Sequence, residues 1–399
     1  MDYISVKEAA KKWGINPRRV QELCKKKRID GVKRWGKTWM IPFDTQKPED
    51  GRCKQPKQKP PKETSPFLKH LFCMDTMQFQ SGQAMQIIES ISETDIRQLA
   101  KAEFDYMRGS FETAMLLYKA SSRSDRIWLS ILSVAQSAAI STGNYRIYHD
   151  IQTELAELQD MFKDNQELSA LIKLAMLIGK VSIYVPILKM DLEEFKILPV
   201  ETRRFATYVY TKYLHMGNKD EKICGIVESF QLFSTQSGYS ASDIYLMLMY
   251  TAALERLGKR DLAKKQLVRA MQLALPDGFI TPFAEHVTTL AGLVENCLEQ
   301  FFPSLYKPII NQSQDTYKNW LQVHNIFTQN HLSLTLSVRE FQVATLLAAG
   351  LSNAKIANQM SCSVANVKKI VSIILNKLYV KNRYEVKKFV IPKEDSQEK

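Results

Sequence analysis

The feature that most constrains the fold is a run of three short helical patterns in residues 336–383, separated by tight turns. Ser337 and Glu340 have the S-x-x-E spacing of a capping box, which satisfies free amides at the start of a helix. Gly350 is suited to the left-handed conformation that ends a helix. Suitable N-caps for the two following helices are Ser352 and Ser363. The run therefore predicts a helix-turn-helix of the kind that enters a DNA major groove.

The third helical pattern has two distinct faces. Apolar residues recur at steps of three and four and predict one buried stripe, formed by Val364, Val367, Val371, Ile374 and Leu378. The opposite face carries small and basic residues, which are Ala365, Lys368, Lys369, Ser372 and Asn376. Such a face can approach a groove closely, and its lysines can reach phosphates or guanine edges. The alternative is a three-helix bundle whose lysines only keep it soluble.

This segment resembles the C-terminal DNA-binding domain of LuxR-type regulators over nearly its whole length. The resemblance implies base-reading positions at Lys368, Lys369 and Ser372. It implies DNA-backbone positions at Ser363, Asn366 and Lys377. Three residues depart from the family pattern, because Lys355 stands for a glutamate, Asn366 for a threonine and Ile370 for a histidine. These departures leave the predicted fold intact and concern the DNA contacts.

Both ends of the chain are basic. Residues 1–62 contain 18 lysines and arginines against 7 aspartates and glutamates, and residues 332–390 contain 9 against 2. The middle is mildly acidic, although the whole chain has a formal charge of +13. Two separate basic ends are an electrostatic footprint for nucleic acid.

Residues 3–43 form a second compact pattern. Ser5 and Glu8 have capping-box spacing at the start of a short helix, and Pro17 occupies the first position of another helix. A β-hairpin with its turn at residues 35–37 follows. Helix, turn, helix and basic hairpin predict a winged helix, and the alternative is a protein-interaction domain with a charged surface.

The same segment resembles small excisionase-like and MerR-like winged helices, which share its E-A-A start and a wing ending in W-x-I-P. The resemblance implies groove contacts from Arg18, Arg19 and Gln21, and phosphate or minor-groove contacts from Arg34 and Lys37. Lys25 shares the outward face of the second helix and is predicted to contact DNA with them.

Residues 44–66 contain five prolines and many lysines, which predicts a disordered basic linker. Helical periodicity dominates residues 67–325. Gly109 and Gly143 are separated by the roughly 34-residue period of tetratricopeptide repeats. Residues 255–286 resemble the helical repeats that precede the DNA-binding domain in MalT-like LuxR regulators, sharing an L-A-x-P-x-G-x-x-x-x-F phrase.

Helical repeats build concave surfaces that bind proteins, peptides or small effectors. Four tyrosines at helical spacing are candidates for such a surface, although a core role is favoured for them: Tyr208, Tyr210, Tyr213 and Tyr245. The histidines have no metal-ligand spacing, and His215 and His286 are expected to be structural or surface residues.

The sequence does not favour an enzyme. It contains no P-loop, no G-x-S-x-G motif and no cysteine-histidine catalytic signature. The six cysteines are widely spaced without a C-x-x-C pair, which fits a reducing cytoplasm. No signal peptide is expected, because Asp2 and Glu8 stand where a basic start and an apolar core would be needed. No membrane span is expected, because the most apolar stretch, at 170–188, contains two lysines and a proline.

Together these patterns predict a mainly α protein with a winged helix at 1–43, a linker at 44–66, a tetratricopeptide-like sensor and dimerisation domain at 67–325, and a LuxR-type helix-turn-helix at 332–390. The predicted function is a cytoplasmic bacterial transcriptional regulator without cofactor or metal. Its expected partners are double-stranded DNA, a second copy of itself, and an effector or protein on the repeats. The alternatives are an excisionase-like architectural factor of a mobile element and a helical-repeat adaptor.

Overall fold

The computed structural model describes residues 3–36, 38–48, 66–185, 187, 189–233, 238–290, 292–328, 336, 338–378 and 380–390. Lys37, Ser337 and most of the predicted linker lie outside these ranges. The chain divides into two compact units, Met1–Thr64 and Ser65–Lys399. Helices make up most of the described residues, so the prediction of a mainly α protein is confirmed.

The first unit combines two helices with a small antiparallel sheet. Its elements are β1 (Tyr3–Ser5), α1 (Val6–Trp13), α2 (Pro17–Lys25), β2 (Lys33–Trp35) and β3 (Thr38–Pro42). The Ser5 amide donates to Glu8 Oε2 at 2.8 Å, and the Glu8 amide donates to Ser5 Oγ at 3.3 Å. The predicted capping box is therefore confirmed. Gly14 then ends α1 in the left-handed conformation, with φ of +61°.

Strand β1 is an element that the sequence does not predict. Three residues are too few to show the alternation that marks a strand. The strand exists because Tyr3 pairs with Pro42 and Ser5 pairs with Met40, which places β3 between β1 and β2. The core of this unit consists of Val6, Ala9, Ala10, Trp13, Val20, Leu23, Cys24, Ile29 and Ile41.

The second unit begins with a long series of helices in which chain neighbours pack against each other. They are α3 (Ala84–Glu89), α4 (Thr94–Met107), α5 (Glu112–Ala120), α6 (Trp128–Ser141), α7 (Tyr145–Met161), α8 (Gln166–Ser182), α9 (Val200–Met216), α10 (Asp220–Phe233), α11 (Ala241–Arg256), α12 (Arg260–Ala274), α13 (Thr281–His286), α14 (Leu293–Phe301) and α15 (Pro303–Thr328). Short 3-10 helices lie at Cys73–Asp75, Leu192–Phe195 and Leu275–Asp277. Helices α6 and α11 are buried along most of their circumference and form the centre of the core.

Left-handed residues make the turns between several of these helices. Gly109, Gly143 and Gly258 have φ of +89°, +71° and +77°. Gly217 is different, because its φ is −86° and the left-handed residue of that turn is Asn218, with φ of +55°. Asparagine tolerates this conformation better than most residues. The turn after α9 therefore does not depend on glycine in the way that the sequence suggests.

Helix α15 passes close to the turn at Gly143. A Cβ atom at this position would lie 2.8 Å from Gln322 Oε1 and 3.3 Å from the Cα atom of Asn319. At Gly109 a Cβ atom would lie 2.5 Å from Gln312 Oε1. Glycine at these turns thus permits both the backbone conformation and the approach of α15.

We expect Gly143→Ala to destabilise the protein more than Gly258→Ala does. Both alanines must adopt a left-handed conformation, which costs about 1–2 kcal/mol. The added methyl group at Gly258 has no atom within 4 Å, whereas at Gly143 it meets α15. Such overpacking adds roughly 1–3 kcal/mol. Denaturant unfolding measures both losses, and equal values would show that α15 does not press on this turn.

The chain ends in four shorter helices, α16 (Val338–Ala348), α17 (Asn353–Gln359), α18 (Val364–Lys377) and α19 (Lys387–Val390). Their buried residues form a cluster that also includes Tyr317 and Leu321 of α15. Helix α15 therefore belongs to more than one core. Ile309 and Val323 are buried with the preceding helices, whereas Tyr317 and Leu321 are buried with α16–α19.

Candidate nucleic-acid interface

The caps of α17 and α18 set the geometry of the C-terminal domain. Ser352 Oγ accepts from the Lys355 amide at 3.3 Å, and Ser363 Oγ accepts from the Asn366 amide at 3.2 Å. Both predicted N-caps are confirmed. Gly350 ends α16 with φ of +83°. The three helices are thus separated by the short turns that the sequence indicates.

The inner face of α18 is buried against the other helices of the domain. Val367, Ile370, Val371, Ile374 and Leu378 all belong to its core. Val364 does not, because this first helical residue lies at the rim of the core and is 41% exposed. The predicted stripe is therefore wrong at that position. Ile370, which stands where the family pattern has a histidine, is buried within the domain.

The outer face of α18 is exposed and basic. Ala365, Asn366, Lys368, Lys369, Ser372 and Asn376 are all exposed. Residues three and four positions apart lie on one side of a helix, so these side chains form a single surface. Among the described residues, Lys368 and Lys369 have no ion-pair partner. We call this surface the α18 outer face.

A family comparison agrees with this geometry. Residues 334–390 match the GerE family, described as bacterial regulatory proteins of the luxR family. The C-terminal domain is a LuxR-family helix-turn-helix domain. Such a domain belongs to DNA-binding transcription regulators and not to enzymes. No significant match to the chain was found among curated proteins or among solved structures.

Two of the DNA-backbone residues implied by the resemblance have structural partners inside the GerE domain. The Lys377 ammonium donates to Glu340 Oε2 at 2.7 Å and to Oε1 at 3.0 Å, which ties α18 to α16. Ser363 Oγ is used as the cap of α18. Asn366, by contrast, leaves its side chain exposed on the α18 outer face. Lys377 therefore fixes the position of α18 within the domain.

Polar contacts of α16 and α17 hold the GerE domain against the preceding helices. Arg260 donates to Asn358 Oδ1 at 3.0 Å and to Ser361 Oγ at 3.0 Å, and it also reaches the Asn358 carbonyl. Gln359 Nε2 donates to the Glu255 carbonyl at 2.7 Å. Gln342 Nε2 donates to the Val287 carbonyl at 2.9 Å. These contacts leave the α18 outer face uncovered.

These docking residues are functional positions that the sequence analysis missed. Arg260 follows a turn glycine at the start of α12, where a basic residue looks like ordinary surface charge. Gln342 and Gln359 lie on predicted helices but show no motif. Both glutamines bond to residues about 50 to 100 positions away in the chain. A local sequence pattern cannot predict such long-range pairs.

The first unit presents a basic surface of its own. Arg18, Gln21 and Lys25 are exposed on α2 at spacings that place them on neighbouring positions of the helix surface. Arg19 is half-buried and forms an ion pair with Glu22 at 2.8 Å. On β2, Arg34 is exposed and its guanidinium lies 5.4 Å from the centre of the Trp39 ring. Lys37, the remaining predicted contact, lies outside the described residues.

Among the described residues, no group of three or more His, Cys, Asp or Glu side chains is placed to hold a metal ion. In the same part of the chain, no helix has both the length and the apolar character needed to cross a membrane.

Proposed function

We propose that this chain is a cytoplasmic bacterial transcriptional regulator that binds double-stranded DNA sequence-specifically, as a homodimer, and responds to an effector or protein partner on its helical repeats. The observation that carries the proposal is the α18 outer face. It is exposed and basic, and its Lys368 and Lys369 have no ion pair with any described residue, in a domain of the LuxR family.

The roles of individual residues follow from their positions. Lys368, Lys369 and Ser372 contact base edges in the major groove, where a lysine can donate to guanine O6 and N7. Asn366 and Ser363, at the N-terminal end of α18, contact the phosphate backbone, because free amides at a helix start favour anions. Lys377 supports these contacts through Glu340.

The first unit provides a second DNA contact in this proposal. Arg18, Gln21 and Lys25 on α2 face the groove, with Arg19 beside them, and Arg34 and Lys37 of the hairpin contact phosphate. The density of basic residues in this unit supports the assignment, since phosphate contacts supply most non-specific affinity for DNA.

Selection from random duplex DNA at physiological salt tests the proposal. The intact chain is compared with Lys368→Ala/Lys369→Ala and with Arg18→Ala/Arg34→Ala. The control, Lys101→Ala/Lys119→Ala, removes the same charge from exposed positions of the repeats. We expect a motif with the intact chain and the control, and its loss when Lys368 and Lys369 are replaced.

Two results would contradict the proposal. A motif that survives Lys368→Ala/Lys369→Ala but is lost with Arg18→Ala/Arg34→Ala would make the first unit the reader and favour the excisionase-like architectural factor. Equal affinity for unrelated sequences, lost together as salt rises, would favour the adaptor.

A further inference from the structure

A cavity of about 160 Å³ lies inside the second unit, among helices of the repeats. One water needs roughly 10–15 Å³ of such space, so the cavity has room for on the order of ten waters or one compact organic molecule. Its wall combines aromatic rings with a few ionisable groups. Residues that matter below are Tyr208, Lys212, Tyr245, Glu285, Tyr317 and Phe341.

The acidic groups of the wall already have hydrogen-bond donors from the protein. Glu285 accepts from the hydroxyls of Tyr106 and Tyr245, the latter at 3.3 Å. Glu103 accepts from the amides of Cys73 and Met74, at 2.9 and 2.8 Å. Burial raises the pKa of Glu103 to about 8, which favours its uncharged form at neutral pH. The wall is therefore poorly suited to a cationic ligand.

Lys212, unlike these acidic groups, has no direct partner in the protein among the described residues. It borders the cavity on α9, and its ammonium lies 5.6 Å from the centre of the Tyr208 ring. Among the described residues it has no hydrogen-bond or salt-bridge partner, and Glu285 acts on it only at longer range. Burial lowers the pKa of His215 to about 4 and of His286 to about 3, so both imidazoles are neutral. Burial also lowers the pKa of the Lys212 ammonium, and the charge of Glu285 opposes this shift. Lys212 is thus the one lysine or arginine of the described wall.

Aromatic rings stand next to this cation. The rings of Tyr208 and Tyr245 lie 4.9 Å apart with an interplanar angle of 32°, and His286 lies 5.9 Å from Tyr245. Offset and edge contacts between rings at such distances are favourable. This part of the wall therefore fits a planar, apolar group such as an aromatic ring of a ligand.

We propose that the cavity binds a small aromatic carboxylate, with the carboxylate on the Lys212 ammonium and the ring against Tyr208 and Tyr245. The proposal rests on the proposed function and deepens it by naming the chemical class of the effector. An ammonium–carboxylate contact inside the protein is stronger than a neutral hydrogen bond, which is why the charge dominates recognition.

The cavity also touches the GerE domain. Phe341 of α16 lines it and packs against Tyr317 and Trp320 of α15, with ring centres 5.5 and 5.6 Å apart. The Tyr317 hydroxyl is buried and has no hydrogen-bond partner among the described residues, so a ligand or water at this end would satisfy it. Ligand binding therefore acts on the contact between α15 and α16. It changes the affinity for DNA if the DNA-bound and the DNA-free protein bind the ligand with different affinities.

The test is calorimetric titration of the intact chain with phenylacetate and 3-phenylpropionate, each beside its uncharged amide. We expect each acid to bind at least tenfold more tightly than its amide, as for hydrogen bonds to charged groups. Lys212→Met should abolish this preference. Lys222→Met is the matched control, because Lys222 also lies over a tyrosine ring, that of Tyr210 at 5.2 Å, but outside the cavity.

Each outcome decides the inference. Equal affinity for acid and amide, an acid preference that persists in Lys212→Met, or no binding of either acid would overturn it. The same acids are then added while the chain binds its selected DNA sequence, and an unchanged Kd would overturn the coupling through Phe341. Acid binding without any DNA motif would refute the proposed function and leave the cavity assignment standing. A DNA motif without acid binding would refute the cavity assignment and leave the proposed function standing.

Discussion

Lys368→Ala/Lys369→Ala is expected to weaken binding to the selected DNA sequence at least 100-fold. A well-placed contact to a base edge contributes about 1–3 kcal/mol of discrimination, and this variant removes two candidates for such contacts. Both side chains are exposed on the α18 outer face, so their loss should leave the fold and the thermal unfolding of the protein unchanged. Fluorescence anisotropy with the selected duplex measures the change.

Salt dependence separates base contacts from phosphate contacts in the same experiment. If the two lysines bind phosphates, the slope of log K against log salt should fall by about 2, and all sequences should weaken equally. If they read bases, the selected sequence should weaken more than a scrambled one. The control Lys101→Ala/Lys119→Ala should change affinity by less than about threefold, because its charges lie on the repeats. A similar loss in both double variants would mean that only overall charge matters.

Glu103→Ala is expected to lower the free energy of unfolding by about 3–5 kcal/mol. The carboxylate is 3% exposed, and it accepts the amides of Cys73 and Met74 in the 3-10 helix before α3. Its removal leaves two buried donors unpaired, at about 1–3 kcal/mol each, and opens a cavity. Urea unfolding followed by circular dichroism measures the loss. The exposed Glu89→Ala serves as control and should stay within about 0.5 kcal/mol.

The same residue predicts a pH dependence. Burial raises the pKa of Glu103 from its ordinary 4.5 to about 8, so the folded state retains a proton that the unfolded state releases. Stability is therefore greatest below pH 4.5 for this group and falls as pH rises towards 8. Burial also raises the pKa of Asp75, to about 7, which adds to the trend. Glu103→Gln, uncharged at every pH, should reduce the slope, and an unchanged slope would show that Glu103 is ionised in the folded protein.

Local chemistry explains how much of this fold is predictable from the sequence. The caps at Ser5, Ser352 and Ser363 act within three residues, so they are visible as short motifs and are confirmed. Turn glycines are visible for the same reason, although Asn218 replaces glycine at one turn. Strand β1 cannot be predicted from a local motif because it depends on pairing with residues almost forty positions later.

The candidate site also has parts that the local sequence predicts and parts that depend on long-range contacts. The α18 outer face can be predicted from helical periodicity alone. The prediction that Val364 is buried is wrong because a periodic pattern does not show where the rim of a core lies. The ion pair of Lys377 with Glu340 joins two helices and is not encoded locally. The cavity around Lys212 requires eight α-helices to meet, and the tyrosines that line it look like plain core residues in the sequence.

Helix α15 determines how the GerE domain can move. Its 26 residues correspond to a rod of about 39 Å, and Tyr317 and Leu321 in its second half are buried with the GerE core. A rotation of the GerE domain against the repeats would have to bend this rod or expose both side chains, at a cost of roughly 1.5–3 kcal/mol each. In a dimer of this chain, the separation of the two α18 helices, and with it the spacing of the half-sites on DNA, would be set by the dimensions of the helices before the GerE domain.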